Sequence, residues 1–267
     1  MTNAASDAAS SGRARITAAI DAARAARRPA IAAFLTGGYP HPDRFDALLD
    51  ATAAAADLVE IGVPWSDPMA DGATLQEASR VALAAGATLP LILEAARRRR
   101  AGGPPLLLMS YLNPLLARGL RRLASDARAA SIAGFIVPDL PCEEGAPFRR
   151  LCDDEGLALV QMVTPATPDD RLAAIGRASR GFLYAVTATG TTGGTVAAGV
   201  STLDYLDHVR ARAPLPVLAG FGVRTGRQVR DLAPHCDGVI VGSALVEAIG
   251  RGEDPGRFLR RLREEAR

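Results

Sequence analysis

Short apolar runs alternate along the chain with longer stretches whose apolar positions recur at helical spacing. The runs predict strands at Ala30–Thr36, Leu58–Gly62, Pro105–Tyr111, Gly134–Asp139, Leu157–Thr164, Gly181–Thr187, Leu215–Gly220 and Gly238–Gly242. Most are continuously apolar and do not alternate with polar residues, the pattern of parallel strands covered on both faces. Between them, helices are expected at Arg13–Ala26, Asp43–Ala56, Leu75–Ala85, Leu89–Ala101, Leu116–Ala129, Glu143–Glu155, Asp169–Ala178, Leu203–Ala213, Thr225–Leu232 and from Ala244 to the C-terminus. The second crossover thus carries one helix more than the rest. Residues 1–12 are small and polar and read as a disordered leader, and no Pro/Ser-rich linker divides residues 13–267. Eight strands with interleaved helices predict a single (β/α)8 barrel of the TIM type. A doubly wound open sheet is the competing layout.

Composition narrows the function. The chain has 267 residues, 48% hydrophobic and 22% charged, with 31 basic against 29 acidic residues and a net charge of +2. That balance gives no sign of a nucleic-acid or membrane partner. No 18-residue apolar run and no signal-like leader occurs, so a cytoplasmic location is expected. Every basic residue is arginine. Without lysine the chain cannot form a Schiff base with a carbonyl substrate or hold pyridoxal phosphate as a lysine imine. Carbon–carbon bond chemistry here needs acid/base groups or a metal. Cys142, Cys152 and Cys236 lack C-x-x-C spacing, and His41, His208 and His235 are scattered, so neither a disulfide framework nor a zinc site is expected.

In a (β/α)8 barrel the strand C-termini and the loops after them form the reactive face. Glu60 interrupts the apolar end of the second strand, where an unpaired carboxyl is costly and its pKa should rise. That suits a group that accepts and returns a proton near neutral pH; pairing with an arginine is the other reading. The loop after it, Pro64 to Gly72, offers Asp71 as a second carboxylate or as a helix cap. Gly190-Thr191-Thr192-Gly193-Gly194, Gly220-Phe221-Gly222 and Gly242-Ser243 follow strands six, seven and eight. The last two open helices, which places backbone amides at helix N-termini and reads as a phosphate site, with ordinary tight turns as the other reading. The run Arg97–Arg100 reads as a solvated helix end, Cys142 as a rim thiol without a histidine nearby in sequence, His208 as a helix-surface residue and His41 as a turn residue.

These motifs coincide with one family. Glu60-Ile61-Gly62-Val63-Pro64-Trp65-Ser66-Asp67-Pro68-Met69-Ala70-Asp71-Gly72 closely resembles the signature of the tryptophan synthase alpha subunit. Further matches occur in family order at Phe34 to Pro40, Met109-Ser110-Tyr111-Leu112-Asn113-Pro114, Pro138-Asp139-Leu140-Pro141 with Glu143-Glu144, Gly220 to Val223 and Gly242 to Ala244. The resemblance implies a lyase that splits indole-3-glycerol phosphate into indole and glyceraldehyde 3-phosphate by a retro-aldol step. It implies no cofactor in this chain, with pyridoxal phosphate only on a beta subunit that joins it in an α2β2 assembly. By motif, Glu60 matches the general acid/base and Asp71 the carboxylate beside the indole N–H. Tyr184 matches a substrate contact, Phe34 and Met109 the indole pocket, and Gly193, Gly222, Gly242 and Ser243, with Phe221 beside them, the phosphate contacts. Thr192 matches a residue that closes over Asp71, and Asp139 a rim position linked to subunit communication. The chain departs from the family at Thr187 to Gly194, where Thr191 replaces a valine and Gly194 a longer side chain. Trp65 for Phe and Ala73 for Pro are milder changes. Three alternatives stay open: a stand-alone lyase releasing free indole, a non-catalytic barrel that activates a beta-type partner, and a sugar-phosphate aldolase or isomerase.

Overall fold

Strand residues that are apolar on both faces can only be satisfied between two packed layers, and a closed parallel barrel inside a ring of helices supplies both. The computed structural model describes residues 11–99, 102–187, 200–220 and 222–267. Eight parallel strands, β1 (Ala30–Thr36), β2 (Leu58–Gly62), β3 (Leu106–Met109), β4 (Ile132–Ile136), β5 (Ala158–Val163), β6 (Leu183–Val186), β7 (Val217–Gly220) and β8 (Gly238–Val241), pair in chain order. The ring closes where β8 meets β1, from Ala30 against Gly238 to Ala33 against Val241. The (β/α)8 barrel is therefore the fold, and the open sheet is excluded.

Alternate strand residues divide two cores. Ala32, Leu58, Leu107, Val160, Tyr184, Leu218 and Ile240 face the barrel axis, while Ile31, Leu35, Val59, Ile61, Leu108 and Val239 pack against the helices. Within the strands, only Met109, Met162 and Val186 are partly exposed, and all three stand at the C-terminal ends, where the barrel opens. The other end is closed by α1 (Gly12–Ala25). Its Ile16, Ile20 and Ala23, one stripe at helical spacing, are fully buried in the same cluster as the barrel interior. Ser11 caps this helix by accepting from the Ala14 amide. Ser11 and Gly12, expected in the leader, belong to the helix start; the rest of that expectation, residues 1–10, lies outside the described residues. At this closed end Asp57 accepts from the Ile31 amide at 2.9 Å and pairs with Arg28 at 2.6 Å and Arg263 at 3.0 Å, tying β1 and β2 to the C-terminal helix.

The helices that place the site are α2 (Pro42–Ala53), α3 (Ala73–Ala84) and α4 (Leu89–Arg98), and α3 and α4 together give the second crossover the one surplus helix that was expected. Two expected helices are each divided. Leu116–Ala129 becomes α5 (Leu112–Arg118) and α6 (Leu120–Ala129), separated at Gly119, whose φ of 84° cannot continue a helix. After α7 (Ala146–Asp154), α8 (Asp169–Ala178), α9 (Val200–Arg212) and α10 (Gly226–Leu232), the last stretch splits into α11 (Ser243–Gly250) and α12 (Pro255–Glu265). Gly252, at a φ of 82°, turns the chain there, and Asp254 restarts a helix by accepting from the Arg257 amide at 2.7 Å.

Candidate active site at the open end of the barrel

Glu60 is the central residue of β2, in register with Phe34 on β1 and Leu107 on β3. It is fully buried, and neither carboxyl oxygen finds a hydrogen-bond partner among the described residues. No arginine pairs with it there, so the ion-pair reading falls. Loss of solvation alone pushes its pKa up to about 8, which keeps the group protonated at neutral pH.

Asp71 stands in the loop that leads from β2 into α3. Burial raises its pKa to about 6, and a hydrogen bond from Tyr111 works in the other direction. The Tyr111 hydroxyl also accepts from the Ala70 amide at 2.9 Å, so one phenol grips both the carboxyl and the backbone before it. The two carboxyls thus differ, with the Glu60 pKa raised further than that of Asp71, because one is wholly desolvated and the other only partly.

Tyr184 on β6 is buried, and its hydroxyl is held well above its ordinary range by burial and then by the charges of Glu60 and Asp71. Gly220 on β7 makes room for it: a Cβ there would lie 2.4 Å from the Tyr184 Oη. Opposite, Gly222 adopts a φ of 80° in the turn after β7, and Gly242 is the N-cap of α11 with Ser243 its first residue. The amides of a helix's first turn have no acceptor within the helix, so the start of α11 offers donors and the positive end of its dipole to an anion.

Phe34, Glu60, Asp71, Met109, Tyr184, Gly222, Gly242 and Ser243 line one cavity of about 580 Å³, its open mouth included. Every described residue expected at the site is thus brought together. Thr192, Gly193 and Phe221 lie outside the described residues. Leu75, Val223, Arg224, Ile240 and Ala244 complete the wall. Tyr111 lines a smaller adjoining cavity that shares Phe34, Asp71 and Met109 with the first. Neither Arg224 nor Tyr111 was singled out from the sequence, although both stand inside or beside the matched motifs. Asp139 and Cys142 line a separate groove, and Asp139 accepts from the Leu112 amide at 2.9 Å. His41 caps α2, and His208 pairs with Asp169 on the surface. Arg97 and Arg98 pair with Glu94 and Asp46 on the solvated side of the helices, the mostly buried Arg99 side chain pairs with Asp50, and Arg100 lies outside the described residues. Among the described residues no group of three or more His, Cys, Asp or Glu is placed to hold a metal ion, and no single helix is long and apolar enough to cross a membrane.

Comparison with known proteins fits this geometry. The sequence profile of the family described as tryptophan synthase alpha chain matches residues 20–267. The tryptophan synthase alpha chain of Geobacter sulfurreducens is 40% identical over 89% of this chain and 93% of its own length. That of Desulfovibrio desulfuricans is 42% identical over 91% and 96%. Among solved structures, tryptophan synthase from M. tuberculosis in its aminoacrylate-bound form superposes with a TM-score of 0.86 at 33% identity, covering 95% of this chain and 99% of that one. The alpha chain from Legionella pneumophila gives 0.83 at 29% identity, covering 94% and 96%. With the profile spanning nearly the whole barrel and relatives above 40% identity, the chain belongs to the tryptophan synthase alpha chain family.

Proposed function

We propose that this chain cleaves indole-3-glycerol phosphate to indole and glyceraldehyde 3-phosphate. One observation carries the reading: Asp71 and a fully buried Glu60 without a partner among the described residues, both with raised pKa values, share a cavity with the glycine turns at Gly222 and Gly242-Ser243. Proton transfer from Glu60 to indole C3 creates a cation on the ring. Asp71 beside the ring N–H stabilises that charge, which exists only on the way to products. Glu60, now a carboxylate, takes the proton of the adjacent glycerol hydroxyl. The C3–carbon bond breaks, its electrons return to the ring, and the hydroxyl carbon becomes the aldehyde. One proton is given and one recovered, so Glu60 ends as it began. Phe34 and Met109 supply apolar walls for the indole, and the start of α11 with Gly222 binds the phosphate.

The absence of lysine agrees with this chemistry, since no imine is involved. Pyridoxal phosphate has no lysine here to bind and belongs on a beta subunit, with which we expect an α2β2 assembly; the names of the relatives favour that over a stand-alone lyase or a non-catalytic barrel. Three free thiols, Cys142, Cys152 and Cys236, suit a reducing, cytoplasmic setting. The test is incubation of the purified chain with indole-3-glycerol phosphate, with and without a beta subunit. Equimolar indole and glyceraldehyde 3-phosphate, formed faster with the partner, support the proposal; no indole under either condition overturns it.

A further inference from the structure

Arg224, two residues beyond Gly222, lines the same cavity as Gly242 and Ser243. Its backbone is fixed, because its amide donates to the Gln228 Oε1 at 2.8 Å beside the capping box of α10. The side chain is held differently. Its Nη1 meets Glu247 Oε1 at 3.2 Å, and its Nη2 donates to Oε2 of the same carboxylate. Glu247 lies on α11, one turn past the amides of the proposed phosphate site, and its Oε1 also accepts from Thr74 Oγ1 at 3.1 Å. Thr74 is the second residue of α3, three positions after Asp71. One carboxylate therefore joins the helix that begins at the phosphate site, the cation beside that site and the end of the loop that carries Asp71.

We propose that Arg224 is a specificity-determining residue that recognises the substrate's phosphomonoester, and that Glu247 holds it in reserve until the phosphate arrives. The inference rests on the lyase reading and adds to it a charge contact beyond the backbone amides. A phosphate dianion outcompetes a carboxylate for a guanidinium: it carries more charge and presents oxygens in the geometry that the planar fork matches. The displaced pair is weak, because Arg224 and Glu247 are 38% and 29% exposed and water screens them. Once released, Glu247 keeps Thr74 as its donor, so the exchange leaves the end of the Asp71 loop anchored.

The reverse reaction separates the possibilities. Indole is condensed with glyceraldehyde 3-phosphate or with unphosphorylated glyceraldehyde by the wild-type chain, Arg224→Gln, Glu247→Gln and the double variant. Arg224→Gln is expected to raise KM for the phosphorylated aldehyde about tenfold, the range for losing a charged hydrogen bond, and to leave the unphosphorylated aldehyde unaffected. Glu247→Gln retains an acceptor for Thr74 but frees Arg224, so it should lower the same KM by roughly two- to fivefold, as expected for release of an exposed pair. The double variant should match Arg224→Gln, and Arg224→Lys should recover part of the loss. Opposite signs for the two single variants cannot come from a bridge that only supports the fold. An unchanged KM in Arg224→Gln, or a rise in both single variants, overturns the inference. A wild-type chain that condenses neither aldehyde overturns the lyase reading instead.

Discussion

The ring of Phe34 occupies the volume that any side chain at Gly62 would need. A Cβ at position 62 would lie 2.4 Å from the Phe34 Cζ, although the two residues sit on adjacent strands. Gly62→Ala therefore drives the ring into the cavity that it lines. Overpacking of this kind costs about 1–3 kcal/mol. We expect a lower melting temperature and a rise in KM for indole-3-glycerol phosphate, read by thermal denaturation and steady-state kinetics. A variant with wild-type KM would show that the Phe34 ring does not bound the indole.

Glu60→Gln should separate activity from stability. With the carboxyl as the proposed proton carrier, kcat should fall by roughly two to four powers of ten. Folding should gain. A group whose folded pKa, about 8, lies above its ordinary value of 4.5 binds more protons folded than unfolded between those values. Stability is then lost as pH rises through that window. The amide does not titrate, so urea denaturation should find the variant more stable than wild type by a few kcal/mol at pH 8 and nearly equal at pH 4.

The two carboxyls also fix the pH profile. The proposed reaction needs Asp71 ionised and Glu60 protonated, and burial raises their pKa values to about 6 and about 8. Plotted against pH, kcat/KM should rise through the first value and fall through the second. Asp71→Asn should lower kcat and remove the acid limb while leaving the alkaline limb in place. An unchanged acid limb in that variant would assign it to another group.

Tyr111→Phe tests the phenol that holds Asp71. Its hydrogen bond lowers the Asp71 pKa, so its loss should move the acid limb to higher pH. Loss of the Ala70 contact at 2.9 Å should also loosen the loop and reduce kcat. Phenylalanine fills the same space, so the melting temperature should change little.

Much of this arrangement was legible in the chain itself. Glu60 stood out because an unpaired carboxyl in an apolar strand is costly, and Gly222 and Gly242 because glycine turns recur after the last two strands, where helix N-termini suit an anion. The helix breaks at Gly119 and Gly252 were less visible, since a single glycine inside a helical pattern does not declare whether it takes a positive φ. Arg224 and Tyr111 escaped notice for another reason. An arginine among so many reads as a solvated charge, and only folding brings it to Glu247 and Thr74, 23 positions away in one case. Tyr111 acquires meaning only once the β2 loop folds over β3.

Among the described residues, Ile16 and Ile20 of α1 pack into the base of the barrel, and the cavity around Glu60 lies toward the other end. A substrate seated as proposed would cover that cavity, and the hydrogen on the fully buried Glu60 would then be shut off from water until product left, so its exchange would fall between turnovers.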